Sequence, residues 1–100
     1  MATFQELIQS EKPVLVDFFA EWCGPCQMMT PELKNLVARV GDKATVIKVD
    51  VDKNQQVSQA LNIRGVPTLM IFQKGEIKWR RSGFMTADQL ETALKPFMTT

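Results

Sequence analysis

The spacing of apolar residues changes several times along this chain, and each change marks an element. Val14-Leu15-Val16-Asp17-Phe18-Phe19 is apolar except for one aspartate. That predicts a strand buried on both faces, as the central strands of parallel sheets are. Met29, Leu33, Leu36, Val37 and Val40 then recur at helical spacing up to Gly41, a residue suited to a helix C-terminus, and Pro31 is expected to kink that helix. Ala44 to Val51 returns to a strand pattern, with Val46, Ile47, Val49 and Val51 apolar around Lys48. A strand, a helix and a second strand in this order form a parallel, right-handed unit in nearly all cases.

The flanks carry start and stop signals. Thr3 and Glu6 have the form of a capping box, opening a short helix with Phe4, Leu7 and Ile8 on one face and Pro13 as its stop. Asn54 is placed to cap another short helix, with Val57, Ala60 and Leu61 inward. Gly65-Val66-Pro67 turns the chain into a strand over residues 68–72. Gln73-Lys74-Gly75-Glu76 reads as a hairpin turn into an antiparallel last strand over residues 77–82, ended by Gly83. Thr86 and Gln89 form a second capping box before a helix with Leu90, Ala93, Leu94 and Phe97 inward. The expected class is α/β.

Composition narrows the function more than the fold. One hundred residues suit a single domain over 1–100, with no linker, repeat or low-complexity segment. Twelve basic and eleven acidic residues leave a net charge of +1, so nothing argues for nucleic acid or an anionic membrane as partner. Lys78, Arg80 and Arg81 around Trp79 read as a solvated strand face, with a small anion-binding patch as the alternative. Met1 to Lys12 holds two glutamates and no apolar run suited to a signal peptide. No stretch approaches the roughly 20 apolar residues of a membrane span, so a cytoplasmic location is expected.

The candidate chemistry sits in Trp22-Cys23-Gly24-Pro25-Cys26, which contains both cysteines of the chain. The motif lies between the first strand and the long helix, which puts Cys23 at a helix N-terminus. Unpaired N–H groups and the positive end of the helix dipole stabilise a thiolate there. Pro25 suits the first turn because it has no N–H to leave unpaired. A reversible dithiol/disulfide is the leading reading. A metal site needs further ligands, and the chain has no histidine and no third cysteine, so one chain would supply half a site. Two buried structural cysteines are the third reading, against which stands a Gly-Pro in a turn-forming stretch.

With these residues in place the chain resembles a small bacterial-type thioredoxin. The likeness rests on Trp22-Cys23-Gly24-Pro25-Cys26, on Phe18-Phe19-Ala20-Glu21 before it, and on Pro31, Lys48 and Asp50. Gly65-Val66-Pro67-Thr68 stands at the family's cis-proline loop, and Gly75 and Gly83 match its two late glycines. The resemblance implies a thioredoxin fold, a central mixed sheet with helices on both faces. The family usually begins with an edge strand, whereas this chain starts almost at the first helix; about four strands are therefore expected, with the second strand at a sheet edge. Phe19 and Gln27 depart from a tryptophan and a lysine common in bacterial members.

The resemblance further implies a protein-disulfide reductase. Cys23 attacks a substrate disulfide as the thiolate, Cys26 resolves the mixed disulfide, and Asp17 is the base for Cys26, with Lys48 beside it. Desolvation is expected to raise the Asp17 pKa and Lys48 to offset part of the rise. A purely structural Asp17–Lys48 ion pair is the alternative. Trp22, Gly24, Pro25, Val66, Pro67 and Gly83 would form the docking surface, with Val66-Pro67 cis and a trans turn proline as the alternative. No bound cofactor is implied. The implied partners are an NADPH- or ferredoxin-linked thioredoxin reductase and disulfide-containing client proteins, and a monomer is expected. A non-catalytic docking module and a disulfide oxidant or isomerase are the competing functions. The uncharged Gly24-Pro25 pair argues against the oxidant.

Overall fold

The computed structural model describes residues 2–98. Four strands, β1 (Val14–Phe19), β2 (Thr45–Asp50), β3 (Thr68–Gln73) and β4 (Glu76–Ser82), form one sheet in the order β2-β1-β3-β4. β1 pairs parallel to β2 and antiparallel to β3, and β3 pairs antiparallel to β4. The sheet is therefore mixed, and both β2 and β4 lie at its edges. Residues 2–4 are not a strand; Thr3 instead caps α1 (Phe4–Leu7) through the capping box with Glu6.

The long helix α2 (Gly24–Val40) connects β1 to β2 and shares one face of the sheet with α4 (Ala87–Leu94). Leu15, Leu69 and Ile71 from the sheet meet Met29, Leu33 and Leu36 from α2 and Leu90 and Leu94 from α4 in one buried cluster. On the opposite face Val16, Phe18, Met70 and Phe72 pack against Ile8 and, at the margin, Phe4, Val57 and Leu61. The Phe4 ring meets Phe72 edge-on with centroids 5.6 Å apart. α1 and α3 (Gln55–Ala60) thus cover the face that α2 and α4 leave open. All but one of the β1 residues are buried, as the unbroken apolar run predicts.

Several details differ from expectation. Ala60 is exposed, and Ser58 takes the inward position of α3, donating from its hydroxyl to the Asn54 carbonyl. Asn54 stands at the N-cap position of that helix as expected, but its side chain makes no capping bond; its amide donates instead to the Asp50 carbonyl, closing the loop after β2. Val37 is half exposed, because α2 extends beside the sheet edge there. Phe97 lies in a short 3-10 turn after α4, still packed on the core.

The β3–β4 turn has positive φ at Lys74 and Gly75, the two-residue geometry whose twist matches a hairpin. Its Lys74 and Gly75 N–H groups donate to the Ser10 and Ile8 carbonyls, which ties the end of the α1 segment to the sheet.

Candidate active site

The end of β1 delivers Ala20, Glu21 and Trp22 to the start of α2, where Cys23 is the N-cap residue in extended conformation. Its sulfur accepts a hydrogen bond from the Cys26 N–H at 3.1 Å, as a capping side chain would. Cys23 and Cys26 form a disulfide with Cα atoms 5.3 Å apart, inside the range such bridges span without backbone movement. Both are largely covered, Cys23 at 5% and Cys26 at 2% exposure, while Gly24 and Pro25 between them face solvent.

Three loops meet around this bridge. Trp22 is 73% exposed, and its indole N–H donates to Asp52 Oδ2 at 2.9 Å. The Cys23 sulfur lies 3.6 Å from the Val66 carbonyl oxygen, and the Val66–Pro67 peptide bond is cis. Gly83 donates its N–H to the Pro67 carbonyl at 2.8 Å with φ +100, a backbone conformation that favours glycine. Gln27 donates from its side-chain amide to the Glu21 carbonyl, so it braces the loop before the motif.

Asp17 is fully buried in β1, and neither carboxylate oxygen has a hydrogen-bond partner. Burial pushes its pKa up to about 6, with Lys48 pulling back part of the rise. Lys48 stands opposite Asp17 in the β1–β2 register, but among the described residues it makes no ion pair. Its ammonium instead lies 4.5 Å from the centre of the Phe19 ring. The structural ion pair is therefore not formed, and Lys48 acts on Asp17 only through its field. A hollow of about 180 Å³ lined by Phe19, Ala20, Glu21, Cys26, Gln27, Thr30 and Lys48 opens beside Cys26.

Sequence reasoning missed Asp52. The signal for it was weak, since thirty positions separate it from Trp22 and only tertiary folding joins them. Asp50 Oδ1 accepts the N–H groups of Asp52 and Lys53, and this turn holds Asp52 against the indole. Of the basic cluster, Arg80 donates to the Leu61 and Asn62 carbonyls after α3, and Lys78 pairs with Glu76, so no anion patch is assembled from them. Among the described residues no group of three or more histidine, cysteine or carboxylate side chains is placed to hold a metal ion.

A four-stranded mixed sheet with a Cys-x-x-Cys disulfide at the head of the helix after its central strand defines a thiol-disulfide oxidoreductase. The thioredoxin family model matches residues 1–96. A thioredoxin from Alicyclobacillus acidocaldarius is 44% identical over 93 residues, covering 93% of this chain and 89% of that protein. One from Rhodospirillum rubrum is 41% identical over 90 residues, 89% of this chain and 86% of that one. Among solved structures, a mutant thioredoxin from Halobacterium salinarum superimposes with a TM-score of 0.85 at 37% identity, covering 100% of this chain and 89% of the other. The oxidised mitochondrial thioredoxin 3 of Saccharomyces cerevisiae gives a TM-score of 0.83 at 30% identity over 93% and 86% of the two chains.

The chain belongs to the thioredoxin family. It is a protein-disulfide reductase whose redox group is its own Cys23–Cys26 pair rather than a bound cofactor. No helix among the described residues is long and apolar enough to cross a membrane.

Proposed function

We propose that residues 1–100 act as one domain and a cytoplasmic electron carrier, with Cys23 as the attacking sulfur and Cys26 as the resolving one. The observation that carries this reading is the hydrogen bond from Cys26 N–H to Cys23 Sγ. It makes the Cys23 sulfur the acceptor at the head of α2, where a thiolate is stabilised by the helix N-terminus and Cys26 is not so placed.

In the reduced protein the Cys23 thiolate attacks one sulfur of a client disulfide. That S–S bond breaks, a mixed disulfide forms and one client thiolate leaves. Cys26 then loses its proton to Asp17 and attacks the Cys23 sulfur. The mixed disulfide breaks, the intramolecular bond forms and the second client thiolate departs. Two electrons have passed to the client, and a thioredoxin reductase linked to NADPH or ferredoxin restores the dithiol.

Asp17 suits the base role because burial raises its proton affinity without a hydrogen-bond partner to satisfy it. Lys48 sets how far that affinity rises. Trp22, Gly24, Pro25, Val66, Pro67 and Gly83 form the docking surface, on which the Val66 backbone beside Cys23 pairs with an extended client segment. The exposed Trp22 indole, held by Asp52, supplies the apolar contact. The protein works as a monomer on such clients.

The test is reduction of insulin disulfides with NADPH and a thioredoxin reductase, compared with a dithiol alone. Turnover coupled to NADPH oxidation is expected. Binding of insulin without loss of its disulfides would identify a docking module, and faster oxidation of a reduced substrate than reduction of an oxidised one would identify an oxidant.

A further inference from the structure

Among the described residues β2 has a partner strand on one side only. Thr45 and Val51 donate their N–H groups to Pro13 and Phe19 of the β1 segment. In a parallel ladder the residues alternate, so Val46, Lys48 and Asp50 direct their backbone groups away from the sheet. Asp50 is partly occupied, since its carbonyl accepts from Asn54 and its carboxylate from the turn that follows. Val46 and Lys48 thus leave two adjacent outward positions for an added strand.

Beside this edge runs a groove of about 350 Å³ between β2 and α2, lined by Thr30, Leu33, Lys34, Val37, Val46 and Lys48. Its apolar part is Leu33, Val46 and the half-exposed Val37. Its charges are two lysines, neither in an ion pair among the described residues, and no carboxylate lines it. An unpaired strand edge next to an apolar groove is a template for strand addition.

Charge selects the occupant. Two copies of this chain joined at β2 would bring four lysines together around one groove, a like-charge arrangement that opposes pairing. An extended segment with carboxylates between apolar residues on the side facing α2 meets the lysines and covers Leu33, Val37 and Val46 together. We propose that the β2 edge and its groove bind an acidic, apolar strand of a partner protein, at a surface that shares Lys48 with the disulfide site but none of its docking residues.

The experiment uses the whole oxidised chain and a capped peptide Val-Thr-Glu-Thr-Val-Thr-Glu-Thr, whose one face alternates valine and glutamate. The comparison peptide carries lysine in place of glutamate. Amide exchange followed by NMR reads the site directly. The glutamate peptide is expected to slow exchange at the Val46 and Lys48 N–H groups at least tenfold, and the lysine peptide to leave them unchanged. Val37→Glu, at a solvent-facing position of α2, should weaken the glutamate peptide at least tenfold by putting a carboxylate in the groove. Val46→Pro, which removes an outward N–H not used by β1, should do the same. Equal effects of the two peptides, protection elsewhere, or no binding at millimolar peptide would overturn the proposal. Sedimentation showing a dimer that Val37→Glu dissociates would replace the acidic strand with a second copy as the occupant.

Discussion

Replacing Asp17 with asparagine isolates the cost of a buried charge. The native carboxyl has its pKa raised from 3.8 to about 6. The folded state therefore holds this proton more tightly than the unfolded state does. Stability from this source is fully present below about pH 4 and is lost as pH rises to about 6, above which the loss is complete. Each tenfold gain in proton affinity is worth ~1.4 kcal/mol, so the rise from 3.8 to about 6 makes that loss about 3 kcal/mol at pH 7.

Asparagine cannot ionise, so it escapes the loss. Its amide is buried without a partner, but so is the protonated acid, and that cost affects the comparison equally at every pH. The variant should therefore be more stable than wild type by up to about 3 kcal/mol at pH 7 to 8. The gap should narrow through pH 6 to 4 and become constant below. For a domain of this size the pH 7 difference corresponds to a Tm rise of roughly 12 to 24 °C. Urea denaturation of both oxidised proteins from pH 3.5 to 8, a range set roughly by the ordinary and raised carboxyl values, measures it. A stability difference independent of pH would show that Asp17 is not held at a raised proton affinity. A gap that widened as pH fell would reverse the sign of the argument.

Cys26→Ser should accumulate a mixed disulfide with client proteins on non-reducing gels, whereas Cys23→Ser should neither reduce nor trap them; trapping by Cys23→Ser would exchange the two roles. In rapid mixing, Asp17→Asn should slow the resolving step by about 10²-fold, the low end for loss of a general base, with the first attack little changed; an equal slowing of both steps would leave Asp17 a structural residue. Asp52→Ala frees the Trp22 indole, and KM for a protein disulfide should rise roughly two- to tenfold at similar kcat, the scale of one hydrogen bond; an unchanged KM would remove the indole from docking. Leu90→Ala opens a cavity between α4 and the sheet, where Leu90 is fully buried, and should cost about 2–5 kcal/mol in urea unfolding without moving the redox chemistry.

What could be read from the chain was what depends on near neighbours. The apolar run from Val14 to Phe19, both capping boxes, the Lys74-Gly75 turn and the Cys23 helix start are local signals, and each appears where the pattern puts it. The edge position expected for β2 is the one found among the described residues. The errors lie where two local solutions compete. Asn54 suits a helix cap, but the Asp50 carbonyl needs a donor and takes it. Val57, Ala60 and Leu61 satisfy a helical period, yet α3 is six residues long, and a small rotation turns Ser58 inward and Ala60 outward. Lys48 does offset part of the Asp17 rise as expected, but it does so without an ion pair, its ammonium lying over the Phe19 ring, a contact no local rule foretold. The Trp22–Asp52 contact joins segments that no local rule connects.

The capping bond between Cys26 N–H and the Cys23 sulfur has a consequence for how inactive versions of this protein are made. The same atom that does the chemistry also starts the helix that spans the sheet, so deleting it changes two things at once. Serine preserves an oxygen acceptor for the waiting N–H, and a serine version is a control for reactivity alone. Alanine or valine removes the acceptor as well, and the first turn of α2, with Gly24 and Pro25 on its outer side, loses its anchor. A partner that fails to bind an alanine version has therefore responded to a loosened surface as well as to a missing thiol, and only the serine version separates the two.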